Sequence, residues 1–116
     1  MDKKSAIEIL TALSHATRLD AFRLLVKNAP AGLPAGEIGK RLGVVQNTMS
    51  AHLAVLDRAG LVSSKRRGRS IEYAVQFRAV RQLLLFLMQD CCQGAPEICE
   101  PLLEAVSCAA PRKGGL

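Results

Sequence analysis

Between Pro34 and Val75 the apolar pattern changes from a helical to an alternating period, and that change restricts the fold more than any other feature of the chain. Pro34 is placed to open a short helix, where its missing N–H costs nothing. Ile38 and Leu42 would face a core, and Gly43 would end the helix. After the turn Gly43-Val44-Val45, a longer helix is expected from about Gln46 to Arg58. Its buried stripe is Met49, Leu53 and Leu56, and Gly60 ends it. Two helices joined by a tight glycine-containing turn make a helix-turn-helix pattern. The period then shortens. Leu61 to Lys65 lead into Arg66-Arg67-Gly68-Arg69, and Ile71, Tyr73 and Val75 alternate as in a half-buried strand. The stretch reads as a hairpin with a basic tip.

The flanks read as helices. Ser5 is expected to cap a first helix, with Glu8 at the capping-box spacing and Ala6, Ile9, Leu10 and Leu13 on its apolar face. A second helix runs from about Thr17 to Asn28, with Leu19, Phe22, Leu25 and Val26 turned inward; Asn28 to Pro34 reads as a loop. From Phe77 the helical period returns. Phe77, Val80, Leu84 and Leu87 form one stripe, and Leu83, Leu85, Phe86 and Met88 spread apolar character nearly all round. A helix apolar on all sides is buried on all sides. With only 3% aromatic residues and no Trp, the core is aliphatic and small, so a second copy is the simplest cover. The expected fold is mainly α with a β-hairpin wing: a homodimeric winged helix-turn-helix. It is read as a single domain over 1–116, with a dimerisation helix and a thiol sensor segment in about 77–108.

Charge is concentrated where this fold would meet a polyanion. From Lys40 to Arg78 eight basic residues stand against two acidic ones, an excess equal to the +6 of the whole chain. Gln46, Asn47 and Ser50 occupy the polar face of the second motif helix, and Gln and Asn can make paired bonds to adenine. Ala51 could touch a thymine methyl. His52 stands at the edge of that face, with a base or phosphate contact and a supporting role both open. Lys65, Arg66, Arg67 and Arg69 offer charge to phosphates or to a narrow minor groove. His15 is expected to be structural.

Cys91, Cys92 and Cys99 form a CC-x6-C cluster, followed by Cys108. Three thiols suit trivalent arsenic or antimony. Adjacent residues in a regular helix point about 100° apart, so Cys91 and Cys92 share one ion only where the helix ends, and Gly94 and Pro96 supply an ending. A helix C-terminus disfavours thiolate, which penalises an anionic zinc trithiolate more than a neutral arsenic one; the acids Asp90, Glu97 and Glu100 act the same way. Cys108 is expected to be a bystander.

Ala12-Leu13-Ser14-His15-Ala16-Thr17-Arg18-Leu19, the run Gln46 to Leu56 and Ala59-Gly60-Leu61-Val62 resemble the ArsR (ArsR/SmtB) family of metal- and metalloid-responsive repressors. The resemblance covers about residues 5 to 90. It implies a homodimeric winged-helix repressor released from operator DNA by an inducing ion. It also implies that Gln46, Asn47, Thr48, Ser50 and His52 lie on the recognition helix. The family often has Pro or Ser where Asn47 stands and His where Ala51 stands, so base preference does not carry over. DCCQGAPEIC is similar to the C-terminal arsenic site of one branch. A second branch carries cysteines in the segment that is here Ala35 to Lys40, which has none. The zinc-sensing branch uses His and Asp on the last helix, and Phe77 to Met88 has neither.

The expected function is repression relieved when As(III) or Sb(III) binds Cys91, Cys92 and Cys99, with Zn, Cd or thiol oxidation at the same cysteines as the alternative. No cofactor is expected for DNA binding; the metalloid acts as inducer. The expected partners are operator DNA and a second copy, with no membrane. An enzyme is not expected: the positions six after each cysteine are Glu97, Ile98, Ala105 and Gly114, so no C-x5-R phosphatase-like loop exists. With no signal peptide and no apolar run of membrane-spanning length, the chain is expected in the cytoplasm, where thiols stay reduced.

Overall fold

The computed structural model describes residues 1–89. The elements run α1 (Lys3–Leu13), α2 (Ala16–Asn28), β1 (Leu33–Pro34), α3 (Ala35–Leu42), α4 (Gln46–Arg58), β2 (Val62–Arg67), β3 (Ser70–Val75) and α5 (Phe77–Met88). One compact unit is Met1–Leu83 and the second is Leu84–Leu116, of which only 84–89 are among the described residues. No helix among the described residues is long and apolar enough to cross a membrane.

The core of the first unit is aliphatic, as the composition requires. Ala6 and Ile9 of α1, Ala21 and Leu25 of α2, Ile38 of α3 and Met49, Leu53 and Leu56 of α4 are buried, together with Leu61 and Val62 at the start of the hairpin. The stripe expected on α4 is wholly inaccessible. On α2, Phe22 and Leu25 are buried, but Leu19 and Val26 are exposed and Ala21 takes their place. At 100° per residue, Leu19 and Val26 sit to the side of the arc defined by Ala21, Phe22 and Leu25. On α1, Leu10 joins Ile7 on the exposed side.

Helix ends follow local chemistry, with two corrections. Asp2, not Ser5, caps α1: the Ser5 amide donates to Asp2 Oδ1 at 2.8 Å, so Ser5 lies inside the first turn. A carboxylate both accepts this bond and complements the positive end of the helix dipole, and it is held below the usual Asp range by its bonds with Ser5. Pro34 stands at the N-cap of α3 rather than its first turn, and with Leu33 forms β1. Gly43 ends α3 with a left-handed φ of 71°, as its position suggested.

The sheet is antiparallel with order β1-β3-β2. The β2-β3 hairpin pairs Val62 with Val75, Ser64 with Tyr73, Lys65 with Glu72 and Arg67 with Ser70. Gly68, at φ 61°, supplies the turn. The two-residue β1 pairs Leu33 with Tyr73 and makes β3 central, where the sequence pattern alone suggests the end of a loop. The Gln76 amide donates to the Leu61 carbonyl at 2.9 Å, closing the base of the wing.

In α5, Leu83 is buried, whereas Phe77, Leu84, Leu85 and Leu87 are exposed on the single chain. Of the expected stripe of Phe77, Val80, Leu84 and Leu87, Val80 is half-buried and the other three are open in one copy. The cysteine cluster Cys91, Cys92, Cys99 and Cys108 lies outside the described residues.

Candidate nucleic-acid interface

Helix α4 divides into four sides. Met49, Leu53 and Leu56 are buried. A helical projection puts Asn47 and Ala51 opposite them, and both are exposed. Gln46 and Ser50 flank that side toward the wing. Together with Gly36, Arg69, Ser70, Ile71 and Tyr73 they line a cleft of about 170 Å³ between the start of α3, the start of α4 and the hairpin. Thr48 and His52 fall on the other flank. Asn47, Thr48 and Gln46 are exposed, and Ser50 is half-buried. A helix with this exposed polar N-terminal turn presents the groups that read base edges when it enters a major groove.

The start of α4 has no side-chain cap. Val45 occupies the N-cap position and is 71% exposed. The amides of the first turn therefore lack a side-chain acceptor, and helix amides in that state suit a phosphate oxygen.

The angle between α3 and α4 is held by close backbone contact. The Val44 amide donates to the Gly39 carbonyl at 2.8 Å. A Cβ on Gly39 would collide with the Val44 carbonyl. Arg41 pairs with Glu37 at 2.7 Å on the outer face of α3, where both are partly exposed and the bond lowers the Glu37 pKa. Such a pair is worth little in water.

Four expected wing residues, Lys65, Arg66, Arg67 and Arg69, are all exposed at the hairpin tip. They are not equivalent. Strand alternation puts Lys65 and Arg67 on the outward face with Glu72, directly across from Lys65. Arg67 Nε lies 3.2 Å from Glu72 Oε1. Arg66 is on the other face, its Nε donating to the Gly68 carbonyl at 3.4 Å, and Arg69 borders the cleft beside Gln46 and Ser50.

His52 is placed differently from its neighbours in sequence. Its Nδ1 lies 3.4 Å from Arg18 Nη1, and its ring centroid is 4.5 Å from that of His15. His15 is structural as expected: it is the N-cap of α2, its Nδ1 accepting from the Thr17 amide at 3.2 Å. Arg18 Nε donates to the Ala12 carbonyl at 2.7 Å. Arg18 is thus a residue of the site that residue-by-residue reading passed over; its only sequence signal is its place in the run Ala12 to Leu19.

Known proteins fit this geometry. Residues 13–64 match the family profile of the helix-turn-helix domain. The chain is 32% identical over 95 residues to the transcriptional activator HlyU of Vibrio cholerae, spanning 80% of this chain and 85% of that one. It is 30% identical to the HTH-type transcriptional regulator NmtR of Mycobacterium tuberculosis over 84 residues, 72% of this chain and 70% of that protein. Among solved structures it superposes with a TM-score of 0.61, at 25% identity, on a homodimeric winged helix-turn-helix DNA-binding domain from Mycobacterium bovis, a possible ArsR-family regulator; 72% of this chain and 76% of that one are covered. A half-exposed recognition helix, a basic wing and this set of relatives lead to one conclusion: the chain belongs to the ArsR family of winged-helix transcriptional regulators, which are DNA-binding proteins and not enzymes.

Proposed function

We propose that the protein is a homodimeric repressor that leaves its operator when As(III) or Sb(III) is bound by Cys91, Cys92 and Cys99. The observation that carries the choice of inducer is the CC-x6-C run three residues after the end of α5. No other soft donor set competes with it: α3 has no Cys, and α5 has no His or Asp. The two-copy reading is supported by the exposed Leu84, Leu85 and Leu87 and by the homodimeric neighbour from Mycobacterium bovis.

In this reading Asn47, Thr48, Gln46 and Ser50 enter the major groove, and Lys65, Arg66, Arg67 and Arg69 hold the flanking backbone. Two recognition helices must meet successive grooves, so their separation is decisive. Gathering three thiols beyond α5 shifts one copy against the other and spoils that separation. Binding to ion and to DNA are then coupled with opposite sign.

The test is fluorescence anisotropy on the protein's own upstream DNA, titrated with arsenite, zinc and cadmium. Arsenite should release the parent. The Cys91→Ser protein should bind DNA as well as the parent and ignore arsenite; release at the parent's concentration would refute the three-thiol site. Release by zinc or cadmium but not arsenite would reassign the inducer. Enhanced transcription from that promoter on addition of the protein would overturn repression in favour of activation.

A further inference from the structure

His52 lies on the flank of the recognition helix away from the wing, where its ring meets the corner between α1 and α2. We infer that it is a positioning residue: its neutral imidazole ties α4 to that corner, and acidification weakens DNA binding by protonating it there. This rests on the reading of α4 as the DNA-contacting helix.

The tautomer follows from the partners. A guanidinium has five N–H donors and no acceptor. At 3.4 Å from Arg18 Nη1, His52 Nδ1 must therefore present its lone pair, leaving the ring proton on Nε2. The same Arg18 donates through Nε to the Ala12 carbonyl at the end of α1. One side chain on α2 thus joins the end of α1 to the recognition helix, and His52 is the acceptor that completes the link. His15 stacks at 4.5 Å with a 45° tilt, and its own Nδ1 accepts from the Thr17 amide.

A proton on His52 Nδ1 removes the acceptor and puts a cation beside Arg18. The groups acting on the ring from the α1–α2 corner are His15 and Arg18; none is acidic. Among the described residues no carboxylate lies within ion-pair distance of the ring. Burial first, then the charges of His15 and Arg18, hold the His52 pKa below the ordinary His value. The sign follows. A basic group whose folded-state pKa is depressed binds fewer protons folded than unfolded. Its contribution to stability is complete above the ordinary His value and is lost as pH falls below it.

A direct phosphate contact by His52 gives the opposite sign, because an imidazolium would attract the DNA. The test measures operator affinity and thermal unfolding at about pH 7.5 and 5.5, at fixed ionic strength, for the parent and for His52→Asn. The Asn side-chain oxygen can accept from Arg18 and does not titrate. The parent should bind about three- to tenfold more weakly at the lower pH, inside the ceiling of about a hundredfold that one linked proton allows over two pH units. The variant should match the parent within about threefold at pH 7.5 and stay flat.

Tighter parent binding at low pH, or an equal fall in the variant, overturns the inference. If neither protein recognises the operator at pH 7.5, the DNA-contacting reading of α4 fails, and unfolding then decides: identical pH dependence of stability in parent and variant overturns the tie. Ring nitrogen NMR of the parent needs no variant, and an Nδ1-protonated neutral tautomer at His52 would also overturn it.

Discussion

The Gly39 carbonyl accepts a 2.8 Å hydrogen bond from the Val44 amide, and the Val44 carbonyl fills the space that a side chain at position 39 would need. The helix-turn-helix angle is therefore set by backbone against backbone at a residue with no Cβ. Neither group is the far end of a flexible side chain, so neither can yield cheaply.

Gly39→Ala is expected to destabilise the fold by about 1–3 kcal/mol, the usual cost of overpacking, despite the higher helix propensity of Ala. Chemical denaturation reads this directly. An unchanged or raised midpoint would show that the α3–α4 crossing can open at no cost. Operator affinity should fall more than stability alone explains, because α4 is re-aimed.

Val45→Ser should act in the other direction on stability. The N-cap of α4 is an exposed valine whose side chain can accept no amide. A serine there can accept from the first turn, typically worth about 1 kcal/mol. The urea midpoint should rise. A fall would mean that Val45 contributes packing that its exposure does not reveal.

The wing carries its own restraint in Glu72, across from Lys65 and 3.2 Å from Arg67. Glu72→Gln should tighten binding about two- to fivefold on operator and unrelated DNA alike, because it frees charge without adding a base contact. Arg66→Ala should weaken binding on every sequence and lower the salt slope by roughly one per lost phosphate contact. Arg67→Ala should cost less, since Glu72 already offsets part of that charge. Equal losses for the two arginines would remove Glu72 from the account.

Leu85 is 62% exposed, the most exposed apolar residue of α5. Leu85→Glu should shift the protein toward monomer in sedimentation velocity while the helical content of the chain is kept. It should also weaken binding to a two-half-site operator far more than to one half-site. A variant that remains dimeric would place the interface elsewhere.

Much of the fold is legible in the sequence. Period and punctuation alone located α4 from Gln46 to Arg58, its stripe of Met49, Leu53 and Leu56, the stop at Gly43 and the hairpin turn at Gly68. These are local signals: apolar spacing fixes which face is buried, and glycine is placed where φ must be positive. The basic tip was equally readable, because charge clustering is a property of the chain itself.

What the tertiary structure decided is everything that depends on residues far apart in sequence. Only folding shows that Leu33 and Pro34 meet Glu72 and Tyr73 as a third strand, since two residues are too short to carry a period. Only folding separates Arg67, held by Glu72, from Arg66 in an otherwise uniform basic run. His52 sits in sequence among the groups expected to read DNA, yet its ring rests on Arg18 and His15 from another corner of the molecule. Helical phase put it on the flank of α4. The physical reason it stays there is a donor supplied from 34 positions away, and no local pattern encodes that.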